Sequence, residues 1–262
     1  MDCTLGTWLS NEEYLQRLYQ ETGRRRIPIS GSMDLTSRCN LRCVHCYMGP
    51  NDSVEDWYHK ELNTSAVLRI LDEVTEAGCL NLLLTGGEPL LRPDFDAIYR
   101  HAKSNGLLVT VFTNGTLVSD ATVGLFQDLP PMHVEVTLYG AGAETYERIT
   151  GVRGSYARCI SGIERILEGG IRLKIKTMLM TLNRHELAEM ERMARSLGVP
   201  FRFDPALFPR FNGDTFPVRL RIPPEEAWAR EASDEVLTAR WREYFDRMKD
   251  LPVSDRLYQC GA

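Results

Sequence analysis

The 262-residue sequence predicts an α/β fold, and within that class a partial (β/α)6 TIM-like barrel with a helical C-terminal extension. Between residues 30 and 204, short apolar segments alternate with amphipathic helical segments, which is typical of a parallel sheet with right-handed crossovers. The strands are predicted over residues 30–36, 79–85, 107–113, 132–139, 171–181 and 199–204. The helices between them are predicted over residues 63–77, 93–105, 119–128, 142–168 and 183–197. Six such units are fewer than the eight that close a full barrel.

A second observation, the alternation of apolar and polar residues within the strands, predicts what the barrel encloses. Glu135 and Thr137, for example, alternate with apolar neighbours, and three other predicted strands share the pattern. Parallel strands that are covered by helices on both faces are usually apolar throughout. One face of these strands therefore packs under the helices, and the polar face is predicted to line a lumen that holds a polar ligand. The alternative is that each of these strands is a sheet edge with one wet face, which would have to apply to four strands at once.

The chain divides into three predicted segments. They are an N-terminal helical extension over residues 1–29, the partial barrel over residues 30–204, and a helical linker with the start of a further extension over residues 205–262. In the first segment, Ser10 is a helix cap and predicts a helix that runs to Thr22. In the last segment, a pair of prolines predicts the start of a long helical region over residues 223–249.

The composition argues against several classes of protein. A formal net charge of −5 gives no electrostatic reason to expect nucleic acid as a partner. No apolar run approaches the roughly 20 residues of a membrane-spanning helix, and the first residues lack the pattern of a signal peptide. We therefore expect a cytoplasmic protein with no membrane partner, in which seven cysteines favour metal or redox roles over disulfides. Cys3, Cys79 and Cys159 are scattered and are predicted to be small buried side chains or bystanders.

The stretch after the first predicted strand carries three cysteines, Cys39, Cys43 and Cys46, in the spacing CxxxCxxC. Three thiols cannot form a closed set of disulfides, and a tetrahedral zinc site needs a fourth ligand, for which only His45 and His59 are near. Three thiolates on a cubane iron–sulfur cluster leave one iron without a protein ligand, where substrate or cofactor chemistry can take place. A non-enzymatic zinc or electron-transfer protein is the alternative interpretation.

A second motif, Gly86-Gly87-Glu88-Pro89, follows the second predicted strand. Taken together, and in this order on successive strand ends, the two motifs resemble the cluster motif and the GGEP motif of radical S-adenosylmethionine (SAM) enzymes. The resemblance covers residues 30–204. It implies a partial barrel that holds a 4Fe-4S cluster on the three cysteines, with S-adenosyl-L-methionine bound beside the cluster.

The resemblance also implies which residues contact SAM. Gly86, Gly87 and Glu88 are expected at its amino group, because glycines allow a close backbone approach and a carboxylate accepts hydrogen bonds from an ammonium. The other expected contacts are Thr137 at the ribose, Lys174 or Lys176 at the methionine carboxylate, His45 at the adenine and Asn114 in the pocket wall. The alternatives are structural: GGEP as a strand-ending turn, Asn114 in a turn that stops a strand, and the lysines in solvent.

The chemistry implied by the resemblance is reductive cleavage of SAM to methionine and a 5′-deoxyadenosyl radical, which abstracts hydrogen from a substrate. The electron is expected from a flavodoxin- or ferredoxin-type donor. Residues 257–262 resemble the opening of a SPASM or twitch extension, so Cys260 is expected to begin a possible auxiliary Fe-S cluster in a chain that is truncated. Because enzymes with such extensions often modify peptides, a peptide or protein is the expected substrate and a small molecule is the alternative. No catalytic acid or base is assigned.

Overall fold

The structure, a computed structural model, describes residues 10–49, 61–233 and 235–249. At its centre lies a parallel sheet of six strands in the order β1-β2-β3-β4-β5-β6. The strands are β1 (Ser30–Asp34), β2 (Asn81–Thr85), β3 (Leu108–Thr113), β4 (His133–Thr137), β5 (Leu173–Met178) and β6 (Phe201–Asp204). β1 and β6 are the two edges of this sheet, so the barrel is open in the part of the chain that the structure describes.

Helices alternate with the strands along the chain. The α-helices of the described residues are α1 (Asn11–Arg25), α2 (Thr64–Glu76), α3 (Phe95–Ser104), α4 (Asp120–Asp128), α5 (Ala143–Thr150), α6 (Ser155–Glu168), α7 (Leu187–Ser196), α8 (Pro224–Ala232) and α9 (Glu235–Met248). This alternation around an open parallel sheet confirms the predicted fold class, a partial (β/α)6 barrel with a helical C-terminal part. None of the described helices is both long enough and apolar enough to span a bilayer. The division into three domains stays a prediction.

The core lies between the sheet and the helices that cover it. Strand side chains that face the helices are fully buried, and they include Leu84, Val109, Val111, Val134, Val136 and Ile175. Tyr99 of α3 and Phe126 of α4 pack in the same layer with their ring centroids 5.1 Å apart. Burial of each such side chain stabilises the fold by roughly 1.5–3 kcal/mol. The apolar layer therefore holds the six strand ends, and the loops that follow them, in fixed relative positions.

The N-terminal helix is capped as predicted. Ser10 Oγ accepts a hydrogen bond from Glu13 N, and the Glu13 carboxylate accepts one from Ser10 N over 2.8 Å, which completes a capping box. The helix continues three residues beyond the predicted end at Thr22 and stops at Arg25. Its last turn closes through Arg26, which adopts a left-handed conformation with φ of 55°.

The prediction of a single helix over residues 142–168 is wrong, because this stretch forms α5 and α6. α5 ends at Gly151, whose φ of 68° is the left-handed conformation that favours glycine at a helix end. Gly154, with φ of 72°, then precedes the first residue of α6. The two glycines were a visible signal for the break. Their consequence for the site is that the carbonyls at the end of α5 become available to another segment.

The helical region predicted over residues 223–249 contains two helices, α8 and α9. After α8, Ser233 Oγ donates to Arg230 O over 2.7 Å, a local bond of the kind that competes with continuation of a helix. The helix predicted over residues 183–197 likewise starts with a 3-10 turn, Arg184–Glu186, before α7. These differences change helix boundaries and leave the order of the strands as predicted.

Candidate functional site

A cavity of about 510 Å³ lies at the carboxyl ends of the strands. Every strand or the loop after it contributes to the wall, through residues that include Asp34, Thr85, Asn114, Thr137, Lys176, Met178 and Asp204. Parallel α/β barrels usually carry their active sites at this end, because the loops that follow the strands converge there. The polar strand faces that the alternation predicts therefore point into one cavity.

Nine of the ten residues predicted for the site line this cavity. They are Cys39, Cys43, His45, Cys46, Gly86, Gly87, Asn114, Thr137 and Lys176. Of the two candidate lysines, Lys176 is in the wall and Lys174 is not. The tenth residue, Glu88, is fully buried behind the wall. The structure thus brings the predicted residues together, while the ligand that each of them binds stays a prediction.

The cysteine loop, residues 39–49, is anchored on the end of α5. Arg42 N donates to Thr150 O over 2.8 Å, and Val44 N donates to Ile149 O over 3.0 Å. The last carbonyls of a helix have no partner within that helix, so they are free to accept bonds from another segment. The break between α5 and α6 therefore holds the loop that carries the three thiols against the barrel.

The environment of the three thiols disfavours their charged form. Burial raises the pKa of Cys39 to about 11 and raises the pKa of Cys43 well above its ordinary value. Burial also raises the pKa of Cys46, and for Cys43 the proximity of the other two thiols adds to the effect. A bound metal replaces the thiol protons, because a coordinating thiol is deprotonated outright. A cationic metal group bound by the three thiols would therefore offset the cost of burying them in their charged form.

The glycine turn, Gly86 and Gly87, packs directly on the segment that leads into the cysteine loop. A Cβ on Gly86 would lie 2.4 Å from Thr36 O, and one on Gly87 would lie 2.2 Å from Arg38 O. Gly86 also has a φ of 129°, which side-chain-bearing residues rarely adopt. Gly87 N donates to Thr36 O over 2.7 Å, and Glu88 N donates to Arg38 O over 2.8 Å. The GGEP motif thus fixes two site loops to each other through backbone contacts.

The Glu88 side chain departs from the expected arrangement. Its carboxylate is fully buried and accepts hydrogen bonds from Thr113 Oγ1 at 2.8 Å, Asn114 N at 2.7 Å and Leu90 N at 3.1 Å. Burial raises the pKa of Glu88 to about 7, and these three donors oppose that rise. In this orientation the carboxylate oxygens face the end of β3, and the expected contact with the amino group of SAM stays a prediction.

His45 brings a polar atom into the cavity wall. Its ring packs edge-on against Tyr139, with ring centroids 4.8 Å apart. Burial lowers the pKa of His45 to about 4, so the imidazole is neutral at physiological pH. Among the described residues, His45 Nδ1 is buried and has no hydrogen-bond partner. A buried polar atom without a partner is costly, so this nitrogen is suited to a ligand group that fills the cavity.

Lys176 lies in a charged group on the inner face of the sheet. Its Nζ is 3.9 Å from Glu135 Oε1, and the same carboxylate oxygen accepts a hydrogen bond from Arg202 Nε over 2.7 Å. Burial lowers the pKa of Lys176 to about 7, against the attraction of Glu135, which raises it. Near neutral pH, Lys176 is therefore present in both its protonated and its neutral form, and an anion in the cavity would favour the protonated form.

Several residues of the wall were missed from the sequence. Tyr139 lies two residues beyond β4, and its phenol is in hydrogen-bonding contact with Cys43. Asp34 and Asp204 end the two edge strands and line the cavity. Both aspartates lie on the polar strand face that the alternation predicts to line the lumen, although neither was named as a site residue. Phe208, which is 62% exposed at the wall, follows β6 in a loop that carries no such signal.

Comparison with known proteins identifies the class of enzyme that this fold and site define. The family profile described as "Radical SAM superfamily" matches residues 33–197, which is more than half of the chain. The chain belongs to the radical SAM superfamily, and the predicted enzyme class is confirmed. The superfamily implies a 4Fe-4S cluster and SAM as cofactors.

Two curated relatives illustrate the range of functions among similar sequences. The chain is 34% identical over 181 residues to the AdoMet-dependent heme synthase of Methanosarcina barkeri (strain Fusaro / DSM 804). This alignment covers 69% of the chain and 51% of the heme synthase. The chain is also 30% identical over 228 residues to the PqqA peptide cyclase of Methylorubrum populi. This second alignment covers 87% of the chain and 58% of the cyclase. The chain thus spans about half the length of the curated relatives that it matches.

Solved structures share the fold. SuiB of Streptococcus suis matches with a TM-score of 0.65 over 98% of this chain and 57% of that chain, at 16% sequence identity. At so low an identity the likeness concerns the fold alone, and it confirms the partial barrel.

The residues present fit the cofactors that the superfamily implies. Among the described residues, no three His, Cys, Asp or Glu side chains converge closely enough to share a single metal ion. A four-iron cluster does not require such convergence, because each thiolate binds a different iron. Three thiols spread along one cavity wall therefore suit a cluster, and the rest of the cavity leaves room for a second molecule beside it.

Proposed function

We propose that the cysteine loop holds a 4Fe-4S cluster through its three cysteines, and that the enzyme cleaves SAM reductively to abstract hydrogen from a peptide substrate. The observation that carries the proposal is that the three thiols and the glycine turn line the same cavity at the carboxyl ends of the strands. Membership of the radical SAM superfamily supports both cofactors. The rest of the proposal concerns what the residues of this chain do.

When bound, the cluster supplies the electron and the open iron at which SAM is cleaved to methionine and a 5′-deoxyadenosyl radical. The chain provides the three cysteines, which lose their protons when they bind the cluster. Leu41, which is 2% exposed, adds an apolar group to the wall beside them. The main contributions of the chain are to exclude water and to hold SAM in one orientation. A flavodoxin- or ferredoxin-type protein delivers the electron.

Four parts of the wall orient SAM in this proposal. The glycine turn lets the methionine end approach the backbone closely, since no side chain intervenes. Lys176 supplies positive charge for the methionine carboxylate. The Thr137 hydroxyl, at the end of β4, meets the ribose. His45 Nδ1, which lacks a partner among the described residues, hydrogen-bonds the adenine.

A peptide is the proposed substrate. The PqqA peptide cyclase of Methylorubrum populi matches 87% of this chain, against 69% for the heme synthase. SuiB has been solved bound to precursor peptide SuiA. The open edge of the sheet is compatible with a long substrate. A small-molecule substrate is the second candidate, because the heme synthase relative has the higher identity of the two, 34% against 30%.

The cofactor part of the proposal is tested by anaerobic reconstitution with iron and sulfide. Reduction with dithionite should give an electron paramagnetic resonance signal that changes when SAM is added, and 5′-deoxyadenosine should accumulate. A zinc protein would give no such signal, and a plain electron carrier would give one that SAM leaves unchanged. Either result would contradict the proposal.

The substrate class is tested separately, with deuterated probes. A tryptic digest of deuterated cellular protein should transfer deuterium to 5′-deoxyadenosine, because hydrogen abstraction moves a substrate atom to the adenosyl carbon. A deuterated tetrapyrrole serves as the matched small-molecule probe. Transfer from the tetrapyrrole and not from the peptides would replace the peptide proposal by the second candidate.

A further inference from the structure

The buried carboxylate of Glu88 connects the GGEP motif to the end of β3. Its two oxygens accept bonds from Thr113 Oγ1, Asn114 N and Leu90 N at 2.8, 2.7 and 3.1 Å. The side chain is 0% exposed and does not line the cavity. A carboxylate in that position holds its partners more firmly than a neutral acceptor, since charge-assisted hydrogen bonds are roughly twice as strong as neutral ones.

Asn114 carries this connection on to the cysteine loop. Its backbone N–H donates to Glu88, while its side-chain Nδ2 donates to Asn40 Oδ1 at 2.9 Å and to Cys39 Sγ at 3.8 Å. The amide oxygen of Asn114 accepts bonds from Thr116 N at 2.9 Å and from Thr116 Oγ1 at 2.6 Å. The Asn114 amide is therefore held on both sides, with one N–H directed at a cluster thiol.

We infer that Glu88 is a positioning residue, which fixes Asn114 so that its amide N–H donates to Cys39 and thereby raises the reduction potential of the cluster. The inference rests on the proposed function, because it assumes a cluster on Cys39. Hydrogen bonds to the sulfurs are among the factors that set the potential of an iron–sulfur cluster. A donor at the thiolate stabilises the more negative, reduced state, so its loss lowers the potential. Groups behind the ligands are often as important as the ligands themselves.

The alternative is the direct contact with SAM that the sequence motif suggests. Such a contact would require Glu88 to give up hydrogen bonds to three donors and to turn into the cavity. The two roles differ in a property that does not involve SAM. Positioning through Asn114 affects the cluster in the SAM-free enzyme, whereas a ligand contact affects only the affinity for SAM.

The test is a redox titration of the reconstituted, SAM-free cluster, monitored by electron paramagnetic resonance. Asn114→Ala should shift the midpoint potential to a more negative value, because its donor to Cys39 Sγ is gone while that of Leu41 N, at 3.4 Å, remains. Glu88→Gln should shift it in the same direction, because the single amide oxygen of Gln cannot replace both carboxylate oxygens and Asn114 is then held less firmly. The double variant should be no more negative than Asn114→Ala alone, since residues that act through one contact are not additive.

Glu186→Gln is the matched control. Glu186 also accepts bonds from a backbone N–H, that of Ala141 at 2.7 Å, and from a threonine hydroxyl, that of Thr145, but it lies outside the cavity wall. Its substitution should leave the potential unchanged. A shift in this control would mean that the potential responds to general loosening, and the inference would be overturned.

Calorimetry of SAM binding completes the test. If Glu88 only positions Asn114, Glu88→Gln should weaken binding by a small factor. If Glu88 met the ammonium directly, the loss would be roughly thirtyfold or more. A large loss of affinity with an unchanged potential in the SAM-free enzyme would overturn the inference.

Should Glu88→Gln fail to hold a cluster, Thr113→Val removes one donor from the same carboxylate and should give a negative shift of its own. An unchanged potential in that variant would then overturn the inference. Failure of the wild-type chain to form any cluster would instead contradict the proposed function.

Discussion

The amino group of Lys176 lies 3.0 Å from the centroid of the Phe112 ring. This placement over an aromatic face, with Glu135 3.9 Å away, gives a buried ammonium two favourable neighbours. Burial nevertheless lowers the pKa of Lys176 to about 7, against the attraction of Glu135, which raises it. A group with this pKa changes its charge within the working range of most enzymes, and in the proposed function it faces the carboxylate of SAM.

The first prediction concerns the pH dependence of SAM binding. The SAM carboxylate is charged throughout, whereas Lys176 loses its proton as the pH rises through about 7. Affinity for SAM should therefore fall above that pH in the wild type. In Lys176→Arg the charge persists, because a guanidinium has a pKa above 12. Anaerobic calorimetry from pH 6 to pH 9 measures both proteins, and titration of SAM itself cancels in their ratio. Parallel profiles would exclude Lys176 as the carboxylate partner.

A second prediction separates the cluster thiols from the other described cysteines. Cys39→Ala, Cys43→Ala and Cys46→Ala should each abolish iron binding at this site and all cleavage of SAM, since a cluster with two protein ligands is not retained. Cys79→Ala and Cys159→Ala should keep both properties, because neither residue lines the cavity. Iron analysis and 5′-deoxyadenosine formation provide the measurements. Substantial 5′-deoxyadenosine from any variant of the first group would contradict the assignment.

The third prediction uses a pair of glycines. In Gly87→Ala the new Cβ would lie 2.2 Å from Arg38 O, so the entry to the cysteine loop has to move. We expect a loss of stability of about 1–3 kcal/mol, occasionally more, together with reduced iron binding. Gly124→Ala in α4 is the control, because a Cβ there meets nothing within 4 Å. Replacing this helical glycine should stabilise the protein by roughly 0.5–1 kcal/mol. Denaturation in urea and iron analysis compare the two, and equal iron binding would show that the turn tolerates a side chain.

The fourth prediction concerns stability in the metal-free protein. Because burial raises the pKa of Glu88 from 4.5 to about 7, the folded state binds more protons than the unfolded state between these values. The Glu88 contribution to stability should therefore fall as the pH rises from 4.5 to 7, by at most about 1.4 kcal/mol per pH unit. Glu88→Gln should lack this contribution. Urea denaturation of both proteins at pH 5 and pH 7.5 gives the difference, and a difference that does not vary with pH would mean that Glu88 titrates normally.

The parts of this molecule that could be predicted from sequence are those encoded locally. The α/β class follows from the alternation of strands and helices, and the nine cavity residues follow from the family resemblance that the two motifs carry. They lie together because the carboxyl ends of neighbouring parallel strands meet at one edge of the sheet. The break between α5 and α6 was missed because the apolar periodicity continues across it. Gly151 and Gly154 were the sequence signal for this break. The position of Glu88 was not predictable, because it depends on where the end of β3 lies.

The same limit applies to contacts that join distant parts of the chain. The anchoring of Arg42 and Val44 on the end of α5 joins residues more than a hundred positions apart. Nothing in either segment alone indicates the pairing. Likewise, the pKa of Lys176 depends on Glu135, Arg202 and Asp204 from two other strands, so a sequence pattern can place the lysine without revealing its charge.

The open sheet has a consequence for the length of molecule that the cavity can accept. β1 and β6 do not pair in the part of the chain that the structure describes, so the sheet does not close on itself. The loops after these two strands meet only at the cavity, where Phe211 N donates to Tyr47 O over 2.9 Å among the described residues. A closed barrel would admit a polymer only by one of its ends. A passage between two unpaired edge strands would let the middle of a chain enter while both of its termini stay in solvent. The position of a modified residue within such a chain would then be set by what surrounds it and not by its distance from a terminus.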